Sequence, residues 1–150
     1  MVLAMASCES ENALSVINQE ASIESFIESR CADYEVVRNA GSNRVVLVPG
    51  NPDYTVEAGD SVSVMIEGFV FNNGPSTQFV SDSTCIKVGG RDVVEGLGNG
   101  LGNGLIGAGL GEESYIIFSA KYGYYKSSVG VVPPMSALMF HTLVTEIKKK

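Results

Sequence analysis

The sequence lacks most of the residues that enzymes use for acid–base, nucleophilic or metal chemistry. It contains no tryptophan and a single histidine. Its three cysteines, Cys8, Cys31 and Cys85, form neither a Cys-x-x-Cys pair nor a metal-ligand spacing. No nucleophile has a base at a recognisable spacing. We therefore expect neither a metal site nor a cofactor, and a function that depends on neither.

Basic residues are also few. Ten lysines and arginines face 17 aspartates and glutamates, so the formal net charge is −7. Nucleic-acid binding depends on a basic surface, so we do not expect this acidic chain to bind nucleic acid. The one basic cluster, Lys148–Lys150, is interpreted as a solvated strand end or tail. No apolar run reaches the roughly 18 residues that span a bilayer.

The chain has 150 residues, of which 45 % are apolar, enough for one cored domain with a modest extension. We predict a tether over residues 1–19, because residues 9–19 are rich in Ser, Glu and Asn. An N-terminal helix and hairpin are predicted over 20–58, and the main domain over 59–150. The protein is expected to be a monomer.

Periodic apolar residues predict one short helix followed by several strands. Ile23, Phe26 and Ile27 share a helical face between Ala21 and Arg30, with Ser22 as the N-cap. Strict alternation predicts a half-buried strand over Ser61–Phe71. Further strands are predicted at 34–38, 44–48, 79–80, 85–88, 115–120 and 137–147, with a loop at 49–53. With one helix-sized segment at 93–109, this pattern indicates an α+β fold with an antiparallel sheet.

The first eight residues, Met1 to Cys8, resemble the end of a bacterial lipoprotein signal, in which the cysteine is acylated after cleavage. Met5 stands where leucine is usual, and the positive start and full apolar core are missing. Either the start is truncated or the similarity is coincidental. On the first interpretation Cys8 carries a lipid anchor to the membrane. The protein would then lie in the bacterial cell envelope, in the periplasm or at the outer membrane; the alternative is the cytoplasm. Cys31 and Cys85 remain either a disulfide pair or two separate thiols.

A glycine-rich segment, residues 96–111, repeats Leu-Gly-Asn-Gly in tandem from Leu97 to Gly104. Its match to G-x-G-x-x-G is discounted, because a dinucleotide site needs that motif inside a βαβ unit. Each interior glycine costs a helix roughly 1 kcal/mol relative to alanine. Leucines at helical spacing nevertheless form a stripe. The segment is thus either a weak helix held by packing or a partly open loop.

The last third of the chain carries a Tyr122-Gly123-Tyr124 corner and a Val131-Val132-Pro133-Pro134 step before a closing strand with Phe140. Together with Val93-Val94-Glu95-Gly96-Leu97, these motifs resemble the FKBP-type (macrolide-binding) peptidyl-prolyl isomerases over about Gly59 to Lys148. The resemblance implies a curved antiparallel sheet wrapped over one short helix. It also implies an apolar cup that lowers the barrier to rotation of an Xaa-Pro bond by removing water and favouring a twisted amide.

The resemblance also assigns roles to individual residues. It places the catalytic site at Phe79, Val94, Tyr124 and Phe140, in which the Tyr124 hydroxyl and the Val94 backbone N–H bind substrate carbonyls. Residues assigned to substrate binding are Ile66, Asp82, Val93, Leu97 and Val131. Leu97 forms the floor where many relatives have tryptophan. The sequence departs from the family pattern at Ile66, Val80 and Thr84, where relatives carry Tyr, Asp and Phe.

Two functions remain open. The first is a peptidyl-prolyl isomerase that acts on proline-containing polypeptides, namely exported proteins in the envelope. The second is a non-catalytic FKBP-like lipoprotein that binds peptide segments as a chaperone or assembly factor. A scaffold with an inactive pocket is a third reading. An open cup around Phe79, Tyr124 and Phe140 favours the enzyme, whereas a cup filled by the glycine-rich segment or by Ile66 and Thr84 favours the others.

Overall fold

The computed structural model describes residues 2–89, 97 and 99–150. One long helix, α1, spans Val2–Arg30, and a short helix, α2, spans Gly100–Leu105. The strands follow in chain order: β1 (Glu35–Asn39), β2 (Ser42–Val48), β3 (Asn51–Thr55), β4 (Ser61–Phe71), β5 (Pro75–Lys87), β6 (Gly109–Leu110), β7 (Glu113–Phe118) and β8 (Ala137–Lys148).

Six of these strands form one antiparallel sheet in the order β1-β2-β7-β8-β4-β5. β3 and β6 form a separate two-stranded sheet. The predicted α+β fold, an antiparallel sheet with a short helix and an N-terminal helix, is therefore confirmed. The hairpin β1-β2 belongs to the main sheet, because β2 pairs with β7.

The inner face of the sheet carries the main core. Along β4, Val62, Val64 and Ile66 are buried and alternate with Ser63, Met65 and Glu67, as a strand with one buried face requires. Helix α2 packs on this face at unusually short range. A Cβ at Gly100 would lie 2.6 Å from Phe118, and one at Gly104 would lie 2.4 Å from Ile116. Glycine is needed at both positions because the helix backbone lies directly against the sheet.

The outer face of the sheet is covered in part by the C-terminal half of α1. Ile23 and Ile27 are buried there against Ile117 and Met139. Phe26 packs edge-on to Phe71, with ring centroids 5.4 Å apart. The helix is longer than its apolar stripe predicts, and Ser22 lies inside it rather than at its N-cap.

Two other local expectations differ from the structure. A loop is predicted at 49–53, but residues 51–55 form the strand β3. The two short pieces predicted at 79–80 and 85–88 are parts of one 13-residue strand, β5, because its pairing with β4 continues across the polar residues between them. The helix-sized segment at 93–109, for which the sequence leaves a weak helix and a partly open loop as alternatives, contains within the described residues only the short helix α2.

Candidate active site

An apolar cup opens on the inner face of the sheet, beside the corner that follows β7. The chain reaches this corner through a 3₁₀ turn at Ala120–Tyr122. The cavity has a volume of about 220 Å³. Strands β4, β5 and β8 supply its walls, and the segment between the corner and β8 supplies its rim. Its lining residues are Ile66, Phe79, Val80, Tyr124, Val129, Gly130, Val131 and Phe140.

Three aromatic rings give the cup its shape. Phe79 lies nearly perpendicular to Phe140, with centroids 5.7 Å apart and an interplanar angle of 81°. It is also edge-on to Tyr124, at 6.3 Å and 71°. Phe118 stacks on Phe140 at 5.9 Å. Edge-to-face contacts of this kind are favourable beyond the area that they bury, so the rings hold one another in position.

Gly68 of β4 makes room for this arrangement. A Cβ built at this residue would lie 2.6 Å from the Val80 side chain and 2.9 Å from both the Phe79 and the Phe140 rings. Real Cβ atoms essentially never approach other heavy atoms below 3.0 Å. The absence of a side chain at Gly68 therefore allows the two phenylalanines to meet.

Among the described residues that line the cup, Tyr124 alone carries a hydroxyl group. The side chain is 8 % exposed, and burial raises its pKa above the ordinary value of 10.0. Its hydroxyl therefore remains protonated, and able to donate, throughout the neutral range. No hydrogen bond in the described part of the chain uses this hydroxyl. As far as the described residues extend, the donor is therefore available to a bound ligand.

The rim of the cup is a tight turn. Val129 and Val132 exchange two backbone hydrogen bonds, at 3.1 and 2.8 Å, and Gly130 adopts a φ of +55°. The turn leaves Val131 62 % exposed at its tip. An exposed valine beside an apolar cavity offers a contact surface to whatever enters the cup.

The residues assigned to the site from sequence divide into three groups. Five of them line the cup together: Ile66, Phe79, Tyr124, Val131 and Phe140.

Two further assigned residues lie elsewhere in the structure. Leu97 is buried in the inner core beside the cup residues, without being part of the lining that the described residues form. Asp82 is exposed, and its carboxylate accepts a hydrogen bond from the Ser83 N–H at 2.8 Å. It borders a different cavity and not the cup.

The last two assigned residues, Val93 and Val94, lie outside the described residues. Sequence reasoning missed three residues of the lining, Val80, Val129 and Gly130. Val80 was noted only as a departure from the family's aspartate. The signal for Val129 and Gly130 is their position two residues and one residue before the motif residue Val131, which places them in the same turn.

A second cavity, of about 400 Å³, lies on the outer face of the sheet. There, His141 contacts Glu113 through Nε2 at 2.7 Å and Glu67 through Nδ1 at 3.3 Å. The two carboxylates bind opposite edges of the imidazole ring, so they do not converge on one point. Among the residues that the structure describes, no group of three His, Cys, Asp or Glu side chains is arranged to hold a metal ion.

The described residues also bear on the cysteines and on the membrane. Cys31 is buried and Cys85 is exposed, and both are free thiols. Cys31 belongs to the core cluster beneath α1, whereas Cys85 lies on β5. No helix in the described part of the chain combines the length and apolarity needed to cross a bilayer.

The fold is similar to that of solved structures, among them the following two. The crystal structure of FkpA from Escherichia coli matches with a TM-score of 0.65 and 18 % sequence identity, over 98 % of this chain and 67 % of the other. The crystal structure of the three FKBP domains of wheat FKBP73 matches with a TM-score of 0.63 and 19 % identity, over 78 % of this chain and 50 % of the other. This chain thus spans about two thirds of the first protein and half of the second. No curated protein sequence matches it.

The sequence itself matches a family model. The model of the FKBP-type peptidyl-prolyl cis-trans isomerases covers residues 39–144. This range begins at the end of β1, includes every described residue of the cup lining, and ends within β8. The chain belongs to the FKBP-type peptidyl-prolyl cis-trans isomerase family.

Proposed function

We propose that the protein catalyses cis-trans isomerisation of Xaa-Pro bonds by binding the proline in the apolar cup. The observation that carries this proposal is an open cavity with Phe79, Phe140 and Tyr124 around it, in which no described residue hydrogen-bonds the Tyr124 hydroxyl. A volume of about 220 Å³ is below the 300–1,000 Å³ typical of sites for drug-sized ligands. It suits a single ring, such as that of proline.

The chemistry needs no acid, base or metal. Rotation of a peptide bond is slow because resonance gives the C–N bond partial double-bond character, with a barrier of about 18–20 kcal/mol. The twisted amide has lost that resonance and is less polar at its oxygen. An apolar cup that excludes water therefore destabilises the planar, polar ground state more than the twisted one.

Within this mechanism, Tyr124 orients the substrate. Its hydroxyl donates a hydrogen bond to a backbone carbonyl of the bound peptide and holds the proline ring against Phe79 and Phe140. A second donor, the backbone N–H of Val94, is proposed from the family motif alone. Val131 and Val129 at the rim contact the residue before proline, so an apolar residue is expected there.

The clients and the location are proposals from the N-terminal sequence. If Cys8 is acylated, the protein acts on proline-containing segments of exported proteins in the bacterial cell envelope, as a lipid-anchored monomer. The alternative location is the cytoplasm. Mass spectrometry of the protein purified from its host would test the anchor, because acylation adds the mass of the lipid to Cys8.

A second candidate function is peptide binding without catalysis. It is favoured by Ile66 and Val80, which line the cup where the family pattern has a tyrosine and an aspartate. These substitutions leave Tyr124 as the sole hydroxyl among the described lining residues. A cup of this kind binds an apolar segment but has fewer groups to orient its carbonyls.

Isomerisation of a short peptide with Leu-Pro or Phe-Pro, followed by NMR exchange, separates the two functions. Wild type is compared with Tyr124→Phe, which removes only the hydroxyl, and with Tyr124→Ala, which opens the cup. We expect catalysed exchange by the wild type, and less of it in both variants. A folded wild type that binds the peptide without accelerating its exchange would establish the binding module instead. Unchanged activity in Tyr124→Phe would remove the hydroxyl from the mechanism.

A further inference from the structure

A ring of four hydrogen bonds connects the N-terminal helix with the segments that flank the cup. The Ala120 N–H donates to Gln19 Oε1 at 2.9 Å, and the Tyr125 N–H donates to the Ala120 carbonyl at 3.1 Å. The Met135 N–H donates to the Tyr125 carbonyl at 2.6 Å. Gln19 Nε2 closes the ring by donating to the Met135 carbonyl at 2.7 Å. Tyr124 lies next to one member of this ring along the chain.

The side-chain amide of Gln19 is well suited to this position. One of its partners is a backbone donor and the other a backbone acceptor, so only one orientation of the amide satisfies both. A carboxylate of the same shape has no proton to donate to Met135, and an apolar side chain satisfies neither partner. The chemistry of the two partners thus selects glutamine.

Two members of the ring have strained backbones. Tyr125 has a φ of +51° and Met135 a φ of +57°, a left-handed conformation that is uncommon for residues other than glycine. Such conformations persist where the surrounding structure over-determines them. Hydrogen bonds on both sides of each residue supply that constraint here, and Gln19 provides the closing pair.

Gln19 lies on the face of α1 that packs on the domain. It is one helical turn before Ile23, which is fully buried, and so lies on the same face. Ile17 and Leu14, further towards the N-terminus, are exposed. Among the described side chains of α1, Gln19 makes the most N-terminal hydrogen bonds to the rest of the domain, and it makes them with the corner beside the cup and the segment before β8.

We propose that Gln19 is a positioning residue for the isomerase site, which fixes the Tyr124 corner and the segment before β8 through this ring. The inference rests on the proposed isomerase function and extends it to a helix outside the sheet. When Gln19 loses either hydrogen bond, the corner gains freedom and the Tyr124 hydroxyl is less often in the productive position. The predicted effect is on the rate at which the bound substrate isomerises, and not on the affinity of the protein for that substrate.

The first test compares Gln19→Ala and Gln19→Met with the matched control Glu20→Ala, an exposed neighbour on the same helix. We expect kcat to fall about tenfold in both Gln19 variants, since small misplacements of a catalytic group reduce rates steeply, with KM within about twofold of wild type. Ile23→Val serves as a second control, because it loosens the docking of α1 without touching the ring. If Ile23→Val had the same melting temperature as the Gln19 variants and lost as much kcat as they do, the loss would be an effect of stability and the proposal would be overturned.

A second variant tests the donor to Met135 separately. In Gln19→Glu the ionised carboxylate still accepts from the Ala120 N–H but repels the Met135 carbonyl, whereas the protonated carboxyl donates to it. Activity of this variant should therefore recover as the pH falls from 7.5 towards the ordinary pKa of glutamate, near 4.3. The wild-type profile measured alongside corrects for neighbouring groups such as Glu20 and Lys121. An identical profile in both proteins would overturn the proposal, and the test works even if Gln19→Ala does not fold.

Hydrogen exchange separates failure of this proposal from failure of the proposed function. The Ala120 amide should exchange about tenfold faster in Gln19→Met than in wild type, because its acceptor is gone. This readout does not depend on catalysis. If the wild type proves inactive but Ala120 loses protection, Gln19 positions a binding loop, and only the isomerase function is rejected. Unchanged protection of Ala120 would reject the role of Gln19 itself.

Discussion

Gly68→Ala tests whether the proposed isomerase activity depends on the shape of the cup. The substitution adds one methyl group on the inner face of β4. That methyl would lie 2.6 Å from Val80 and 2.9 Å from Phe79 and Phe140, whereas ordinary contact begins at 3.4 Å. The neighbours must therefore move by about 0.5 to 0.8 Å, which are the differences between these distances. Both rings that must move are walls of the cup.

The expected free-energy change has two opposing contributions. Inserting a methyl group into a packed core typically costs about 1–3 kcal/mol. Replacing glycine by alanine in an extended strand recovers about 0.4–1 kcal/mol, because the unfolded chain loses conformational freedom. We expect a net destabilisation of about 1–2 kcal/mol. We expect kcat/KM to fall by about 10- to 100-fold, which is more than partial unfolding would cause. The reason is that the side chains that hold the substrate are displaced by a large fraction of an ångström.

The assay is peptide isomerisation by NMR exchange, with thermal unfolding of the same samples. Gly102→Ala is the matched control, because a Cβ there meets nothing within 4 Å and alanine favours the helix by about 0.8–1.0 kcal/mol. It should be slightly more stable than wild type and fully active. Full activity in a folded Gly68→Ala protein would show that the reaction occurs elsewhere.

Three further predictions concern stability. Phe140→Ala should destabilise by about 3–5 kcal/mol in chemical denaturation, as loss of a buried aromatic does; a near-neutral change would contradict its stacking in the core. Glu112→Ala should cost about 3–5 kcal/mol, because Arg44 would be left buried and unpaired; the double variant with Arg44→Met should recover part of this in the same assay, and no recovery would argue against the pair. The hydrogen bond from Lys149 lowers the pKa of Asp60 below 3.8 and raises that of Lys149 above 10.5. The pair therefore stabilises the fold above pH 3.8 and below pH 10.5, and is lost as the pH falls through the lowered pKa or rises through the raised one; acid unfolding of Asp60→Asn, compared with wild type, checks the lower limb, and identical acid midpoints would contradict it.

Much of the fold could be predicted because strand alternation is a local signal. The bounds predicted for the strand Ser61–Phe71 are those of β4, and β7 and β8 were placed within about two residues. The polar stretch between Phe79 and Cys85 concealed the continuity of β5. β5 is an edge strand, and the solvated side chains of such a strand need not alternate in polarity. Pairing with β4, which no local pattern reveals, makes it continuous.

Two charged groups have partners that the local sequence does not reveal. Glu112, whose charge favours exposure, is buried and paired with Arg44 and Ser114. The terminal lysines are interpreted as a solvated strand end or tail, and Lys148 does end β8, yet Lys149 binds the buried Asp60. In both cases the partner is distant in sequence, 68 residues for Arg44 and 89 for Asp60. Charge alone indicates exposure, and only the three-dimensional pairing reverses that expectation.

The cup shows the same limit for apolar residues. Phe79, Tyr124 and Phe140 could be assigned because family motifs identify them, and not because their chemistry does, since phenylalanine and tyrosine occur in any core. The function proposed for them rests on their convergence on one cavity, which depends on an absent side chain at Gly68 and on the position of the Tyr124 corner. In a site that excludes water and holds one hydroxyl in place, the informative polar residues are those that hold the backbone. Gln19, within a stretch that the sequence predicts to be a tether, makes both hydrogen bonds that close the ring beside Tyr124. Residues that tune the proposed activity should therefore be sought among the polar contacts of the loops as well as in the lining of the cavity.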